Sequence, residues 1–228
     1  MSKLTKNQKS FEGKVDKSKL YPISDAIKLA KDLAFEKFDS TFNVVYKLNV
    51  DPRHADQQLR GKIVLPKGTG KTQKILAIVE GENANIAKEM GADFIGGIDL
   101  LTKIEKEKWF DFDVIVTTPD MMPKFGKYGK LLGPKGLMPN PKLGTLSPDI
   151  KKSISDIKKG SIEYRTDKDG NVATIFGKQS FDDSSLIENF NSILEEINRV
   201  KPAKVKGKYI LNVSISTAMG PGIKVELN

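Results

Sequence analysis

Two kinds of strand pattern share this chain, and their order constrains the fold more than any other feature. Thr41 to Val50 alternates, with Phe42, Val44, Tyr46, Leu48 and Val50 on one side, as a half-buried strand does before Asp51-Pro52 ends it. Between about Pro66 and Lys159 the pattern changes to short apolar runs: Lys74–Glu80 (KILAIVE), Phe94–Gly97 and Phe112–Thr118 (FDVIVTT). Helical stretches separate them, one over Asn83–Gly91 and one carrying Leu100, Leu101, Ile104 and Trp109. Strand–helix alternation with such short connections predicts a small parallel α/β layer structure.

The first pattern returns after Gly160. Ser161–Thr166 and Asn171–Lys178 flank Asp167-Lys168-Asp169-Gly170, which predicts a β-hairpin. A helix follows from about Ser185, with Ser185 and Glu188 as a capping-box pair and Leu186, Phe190, Ile193, Leu194 and Ile197 inward. Lys208 to Ala218 alternates as a last strand. Before the first strand, Ser24 is a potential cap for a helix with Ile27, Ala30, Ala34 and Phe38 on one face. The fold class expected is therefore α+β with an inserted α/β part. A discontinuous two-layer outer domain covers residues 1–66 plus 160–228, and a three-layer Rossmann-like parallel-sheet middle domain covers 67–159. The two connections near Pro66 and Gly160 suit a hinge.

Charge narrows the partner. Lys and Arg number 38 against 29 Asp and Glu, a net charge of +9, which favours a polyanion, nucleic acid before membrane. There is no cysteine, which excludes disulfides, thiol catalysis and cysteine-held zinc or iron–sulfur clusters, and His54 is the single histidine. Met1 to Leu20 is Lys-rich without an apolar core, so it reads as a solvated arm and not a signal peptide. No run is long and apolar enough to span a bilayer. A soluble, cytoplasmic protein without cofactor, metal or small-molecule substrate is expected.

Several motifs carry a bland reading beside a functional one. Gly68-Thr69-Gly70-Lys71-Thr72 looks like the end of a P-loop, but Leu65 stands where the motif needs its first glycine and a strand follows instead of a helix. Pro119 to Pro148 holds six of the eleven prolines, five glycines and five lysines against one aspartate. Composition leaves it open as an irregular loop or as a basic surface whose backbone can approach phosphates. Lys37-Phe38 is either core edge or a base-stacking aromatic beside a phosphate-binding lysine. His54 reads as a turn residue, and Asp182, Asp183 and Glu188 as helix N-terminal acids. Arg199 to Lys208, with five basic residues and no acid, is a solvated or phosphate-facing loop. Ser214-Ile215-Ser216-Thr217-Ala218-Met219-Gly220-Pro221-Gly222 runs from a hydroxyl-bearing strand into a turn, where small residues let an RNA backbone come close.

Taken together, these stretches resemble one family, the bacterial large-subunit ribosomal protein L-one family. The matching residues are Lys37-Phe38-Asp39, Asp51-Pro52-Arg53, Gln57 to Gly61, Leu65-Pro66-Lys67-Gly68-Thr69-Gly70-Lys71, Gly91-Ala92-Asp93 and Thr118-Pro119-Asp120. To these come Leu132-Gly133-Pro134-Lys135-Gly136-Leu137-Met138-Pro139-Asn140-Pro141-Lys142 and Met219-Gly220-Pro221. They run through almost the whole chain in family order, and the Leu-Gly-Pro-Lys-Gly-Leu-Met-Pro-Asn-Pro block is highly specific.

The resemblance implies a structural constituent of the large ribosomal subunit whose outer domain grips the stalk region of large-subunit rRNA. It also implies a middle domain that reaches toward exit-site tRNA and assists its release, and repression of the protein's own operon mRNA. By motif match, the rRNA and mRNA contacts implied are Lys37, Phe38, Thr41, Asn43, Lys168, Ser216, Thr217, Met219 and Gly220. Two positions depart from the family pattern: Ala218 replaces a frequent threonine, and Asn43 replaces a usual acid. Neither an enzyme nor a membrane-surface binder fits as well. The former lacks a His, Cys or carboxylate constellation. The latter needs a basic amphipathic helix, whereas the last helix carries Glu188, Glu195 and Glu196.

Overall fold

The computed structural model describes residues 5, 9, 11, 13–16 and 18–227; much of the Lys-rich arm lies outside them. In chain order the elements are α1 (Ile23–Asp32), β1 (Thr41–Leu48), β2 (Arg60–Val64), β3 (Ile75–Ile78), α2 (Glu82–Glu89), β4 (Phe94–Gly96), α3 (Ile98–Glu107) and β5 (Val114–Thr117). They continue with α4 (Met122–Phe125), α5 (Gly129–Leu132), α6 (Ile150–Lys158), β6 (Ser161–Arg165), β7 (Asn171–Lys178), α7 (Asp183–Arg199), β8 (Ile210–Ser216) and β9 (Ile223–Val225). The chain forms two compact units, residues 1–70 with 162–228, and residues 71–161.

The first unit is two-layered. Its antiparallel sheet has the order β7-β1-β8-β9. β1 alternates strictly, so Phe42, Val44, Tyr46 and Leu48 are buried. They pack with Val172, Phe176, Val213, Ile215, Ile223 and Val225 against the apolar faces of α1 (Ala26, Ile27, Ala30) and α7 (Leu186, Phe190, Ile193, Ile197). Phe176 meets Phe42 and Phe190 edge-on, with ring centroids 5.5 Å and 6.1 Å apart, the geometry that aromatic quadrupoles favour.

Sequence and structure part company at the caps. α1 is capped by Pro22 without a side-chain bond and stops at Asp32, so Ser24 lies inside its first turn and Phe38 falls beyond it. α7 is preceded by Asp182 at the cap position, without a side-chain bond, and the Ser185–Glu188 box does not form. Within the helical layer an ion pair, Lys31 Nζ to Asp183 Oδ1 at 2.7 Å, joins the last turn of α1 to the first turn of α7, and Glu188 pairs with Lys67 at 3.3 Å. These carboxylates are thus engaged by lysines.

The expected hairpin is also corrected. The turn exists, closed by Asp167 N to Asn171 O at 2.8 Å, but beyond the Thr166–Val172 bridge the two strands separate. β7 pairs with β1, while β6 pairs with β2 in a two-stranded sheet. Thr166 is the joint: its N–H donates to Leu59 O and its hydroxyl accepts from Leu59 N, both at 3.0 Å. Gly61 is required beside Tyr164, whose hydroxyl stands 2.5 Å from where a Cβ would be. β2, β9 and α6 have no counterpart in the sequence reading.

The second unit holds the parallel sheet β4-β3-β5. All four residues of central β3 are buried, and its period of two sends them to opposite faces. Ile75 and Ala77 meet Ala87 of α2 and Ile150, Ile154 and Ile157 of α6. Leu76 and Ile78 meet Leu101 and Ile104 of α3 together with Met121, Phe125 and Leu132. The Gly/Pro/Lys-rich stretch is therefore part of a core layer, a chain of short helical turns rather than an irregular loop. Lys135 lies 4.2 Å over the ring of Phe110, and Lys124 Nζ bonds Glu80 at 2.9 Å. After Gly68-Thr69-Gly70-Lys71 comes β3, with no helix to bind phosphate.

Asp113 ties the start of the sheet together, accepting from Lys71 Nζ at 2.6 Å and Lys74 N at 3.0 Å. The Lys71 ammonium and the Lys74 N–H outweigh burial and hold its carboxyl below the usual range. A depressed folded-state pKa stabilises above the unfolded aspartate value of about 3.9 and ceases to do so as pH falls through the lower folded value. Asp113→Asn is therefore expected to lower stability at neutral pH and to flatten its fall below about pH 4. Denaturant titrations at several pH values check this; parallel acid limbs in the two proteins exclude Asp113 as the group responsible.

Candidate nucleic-acid interface

The open face of the four-stranded sheet carries polar residues because β1 alternates: Thr41, Asn43, Val45 and Lys47 point away from the core. Register sets their neighbours. Asn43 stands opposite Ser216, Val45 opposite Ser214 and Lys47 opposite Asn212, and directly opposed residues share a face. At one end of this face lie the α1–β1 connection, residues 33–40, and the turn after β8, residues 217–222.

The α1–β1 connection has no regular structure, and two carboxylates hold it in place. Glu36 Oε1 accepts from the Thr217 hydroxyl at 3.0 Å and from Met219 N at 2.9 Å. Asp39 accepts from Ser180 N at 3.0 Å and from its hydroxyl at 2.9 Å, while Ser40 and Gln179 are joined by main-chain and side-chain bonds. Burial pushes the Glu36 carboxyl up, but the N–H groups of Glu36 itself and Met219 and the Thr217 hydroxyl outweigh it and hold the pKa below the usual range. Between the two anchors, Lys37 and Phe38 project outward. Phe38 is 53% exposed and Met219 58%, the two most exposed large apolar side chains among the described residues.

Of the residues singled out by sequence, Lys37, Phe38, Thr41, Asn43, Ser216, Thr217, Met219 and Gly220 come together at this end. Phe38 belongs to the surface and not to the core edge. Thr217 is placed beneath the surface: it is 2% exposed and its hydroxyl proton is given to Glu36. Its side chain therefore shapes the turn and does not project to the outside. Gly220 acts from below as well, since a Cβ there would overlap Thr217 Oγ1.

Lys168 does not join them. Its turn abuts the far end of β1, where Leu48 N bonds Gly170 O at 2.9 Å, seven residues and about 24 Å from Thr41 along the strand. There it shares the sheet end with the basic segment before β8, where Asn49 N bonds Tyr209 O at 2.7 Å. Sequence reasoning missed Glu36 and Ser180, and it placed Asp39 in a family motif without its anchoring role. No local pattern gives these roles, because their partners are more than a hundred residues away in the chain.

An exposed aromatic ring and a thioether beside lysine, hydroxyls and a polar sheet face are the chemistry of an RNA-binding protein rather than of a catalyst. The comparisons agree. The model of the family described as ribosomal protein L1p/L10e matches residues 29–221. The chain is 59% identical over 228 residues to the large ribosomal subunit protein uL1 of Mesoplasma florum, covering 100% of both chains. It is 54% identical over 226 residues to that of Mycoplasma capricolum, covering 99% of this chain and 100% of the relative. To that of Limosilactobacillus reuteri it is 53% identical over 214 residues, 94% of this chain and 93% of the relative. The chain belongs to the ribosomal protein L1p/L10e family. It is a structural, non-enzymatic protein of the cytoplasmic ribosome, and binding of ribosomal RNA is general to its family. No helix among the described residues is long and apolar enough to cross a membrane.

Proposed function

We propose that this chain is a constituent of the large ribosomal subunit that grips the stalk region of the large-subunit rRNA with the tip formed by residues 36–43 and 216–220. The observation that carries the reading is the exposure of two large apolar side chains, Phe38 and Met219, on segments that Glu36 joins and Asp39 anchors. Held in water they add nothing to folding, whereas covering them by a partner is favourable, and unpaired bases stack well on such groups. Lys37, with no carboxylate in ion-pair range among the described residues, supplies phosphate affinity, and Thr41, Asn43 and Ser216 offer hydrogen bonds to 2′-hydroxyls and base edges. Lys168 contacts the same RNA farther along the sheet.

In this reading residues 1–66 with 160–228 form the rRNA-binding domain and residues 67–159 an inserted domain, which reaches exit-site tRNA and assists release of the deacylated molecule. The same tip binds a similar fold in the protein's own operon mRNA and represses its translation. The test is a filter-binding titration of the whole protein against stalk RNA and a scrambled duplex at two salt concentrations. Preference for stalk RNA by roughly a thousandfold supports the reading, and equal, salt-abolished binding of both overturns it. Phe38→Ala is expected to lose on the order of 1–3 kcal/mol toward stalk RNA; unchanged affinity removes Phe38 from the interface. Competition by an operon mRNA fragment, weakened in parallel by Phe38→Ala, tests the shared site.

A further inference from the structure

Glu36 is out of place by its charge. A carboxylate directly beneath a surface that receives a polyanion lowers affinity at long range, and the basic excess of the chain works in the opposite direction. It is also costly to keep. Only one of its oxygens is used; Oε2 is buried without a hydrogen-bond partner, and a desolvated carboxylate oxygen is expensive. What offsets both is local. Through Oε1 alone Glu36 joins two segments more than 180 positions apart, taking the Thr217 hydroxyl at 3.0 Å and the Met219 N–H at 2.9 Å.

The neighbours are shaped around that oxygen. The Thr217 hydroxyl occupies the space a Cβ at Gly220 would fill. Phe38 sits two residues after Glu36, and Met219 carries one of its two donors. With no secondary structure between Leu33 and Ser40, this bond pair sets where Phe38 stands relative to Met219. Ala218, exposed and without a hydroxyl, contributes nothing to holding the turn from outside.

We infer that Glu36 is the positioning residue of the RNA-binding tip: it acts as a double hydrogen-bond acceptor that fixes Phe38 beside Met219, without touching RNA and without need of its charge. The inference rests on the reading of this tip as the rRNA site, and it makes Thr217 and Gly220 parts of the same lock.

The experiment is a binding titration of whole-protein variants against stalk RNA and the scrambled duplex over a salt series, with a thermal melt of each. Glu36→Ala is expected to lose about ten- to a hundredfold in stalk-RNA affinity, the cost of two ordinary hydrogen bonds. The slope of affinity against salt stays the same, because no phosphate contact is lost. Glu36→Gln keeps the acceptor oxygen and removes the charge; it is expected to bind within about threefold of the parent, a loss of less than one weak hydrogen bond. Thr217→Ser behaves as the parent and Thr217→Val falls toward Glu36→Ala. Glu36→Gln as weak as Glu36→Ala, or Glu36→Ala binding like the parent, overturns the inference. A steeper salt slope in Glu36→Ala overturns it too, since that is the signature of a charge acting directly on phosphates. If the parent protein itself shows no preference for stalk RNA, the rRNA reading fails, and that outcome is visible before any variant is measured.

Discussion

Gly220→Val is expected to weaken stalk-RNA binding by on the order of 1–3 kcal/mol, the range for losing a stacking contact, while leaving the melting temperature of the protein almost unchanged. The Cβ that any substitution introduces overlaps Thr217 Oγ1. The hydroxyl must then rotate away from Glu36, which releases the turn that carries Met219. Stability is spared because the turn lies past the end of β8, outside the apolar core of Phe42, Val213 and Ile215. The mechanism makes a sharper forecast in combination: Gly220→Ala is expected to cost less in a Thr217→Ala background, where nothing remains to collide with. Binding titrations of the single and double variants check it. Equal costs in both backgrounds exclude the collision as the cause.

The largest effect on stability is expected at Asn189. This side chain is fully buried in α7, where every other inward residue of the helix is apolar. It accepts from Lys67 N at 3.0 Å and donates to Gly68 O at 3.0 Å and Phe176 O at 2.9 Å. The segment Lys67–Gly68 has no strand partner, so the amide takes the place of a β-ladder. Asn189→Leu keeps the volume and leaves three backbone groups without partners. At about 1 kcal/mol or somewhat more for each unsatisfied group, the lower part of the range for such groups, a loss on the order of 3–5 kcal/mol is expected. Two spectroscopic probes separate the units. Trp109, the single tryptophan, reports the second unit, whereas four of the five tyrosines, Tyr21, Tyr46, Tyr164 and Tyr209, belong to the first and only Tyr128 to the second, so the tyrosine signal is dominated by the first unit. Denaturant unfolding of Asn189→Leu is expected to shift the tyrosine signal in the near-ultraviolet to lower denaturant and to leave the tryptophan fluorescence transition in place. An unshifted tyrosine transition shows that water satisfies the three groups.

Neighbouring residues encode much of what can be read locally. The alternation of β1 and of β8 from Val213 onward, the three apolar parallel strands and the inward stripe of α7 from Leu186 to Ile197 follow from periodicity. Caps were read less well. Ser24, Ser185 and Glu188 satisfy the residue preferences of caps, yet the cap positions of α1 and α7 are Pro22 and Asp182. At the start of α7 the Lys31–Asp183 ion pair, a tertiary contact with the last turn of α1, stands where the local box was expected. Pro119 to Pro148 misled for a similar reason. Its glycines and prolines mark turns correctly, but Met121, Phe125 and Leu132 are spaced to bury one side of a string of helical turns.

The chemistry of the partner was legible from residue types: excess lysine, an aromatic beside lysine, hydroxyls before a Met-Gly-Pro turn, and the family motifs that contain them. Periodicity states which face of an element turns inward, because side chains repeat every two or 3.6 residues along one backbone. It does not state which strand lies alongside. That β6 leaves β7 for β2, that Lys168 stands a strand length from Phe38, and that Thr217 turns its hydroxyl to Glu36 were decided by packing. Each depends on hydrogen bonds and sheet pairings between segments far apart in the chain, which form only when the apolar faces of distant elements close on one another.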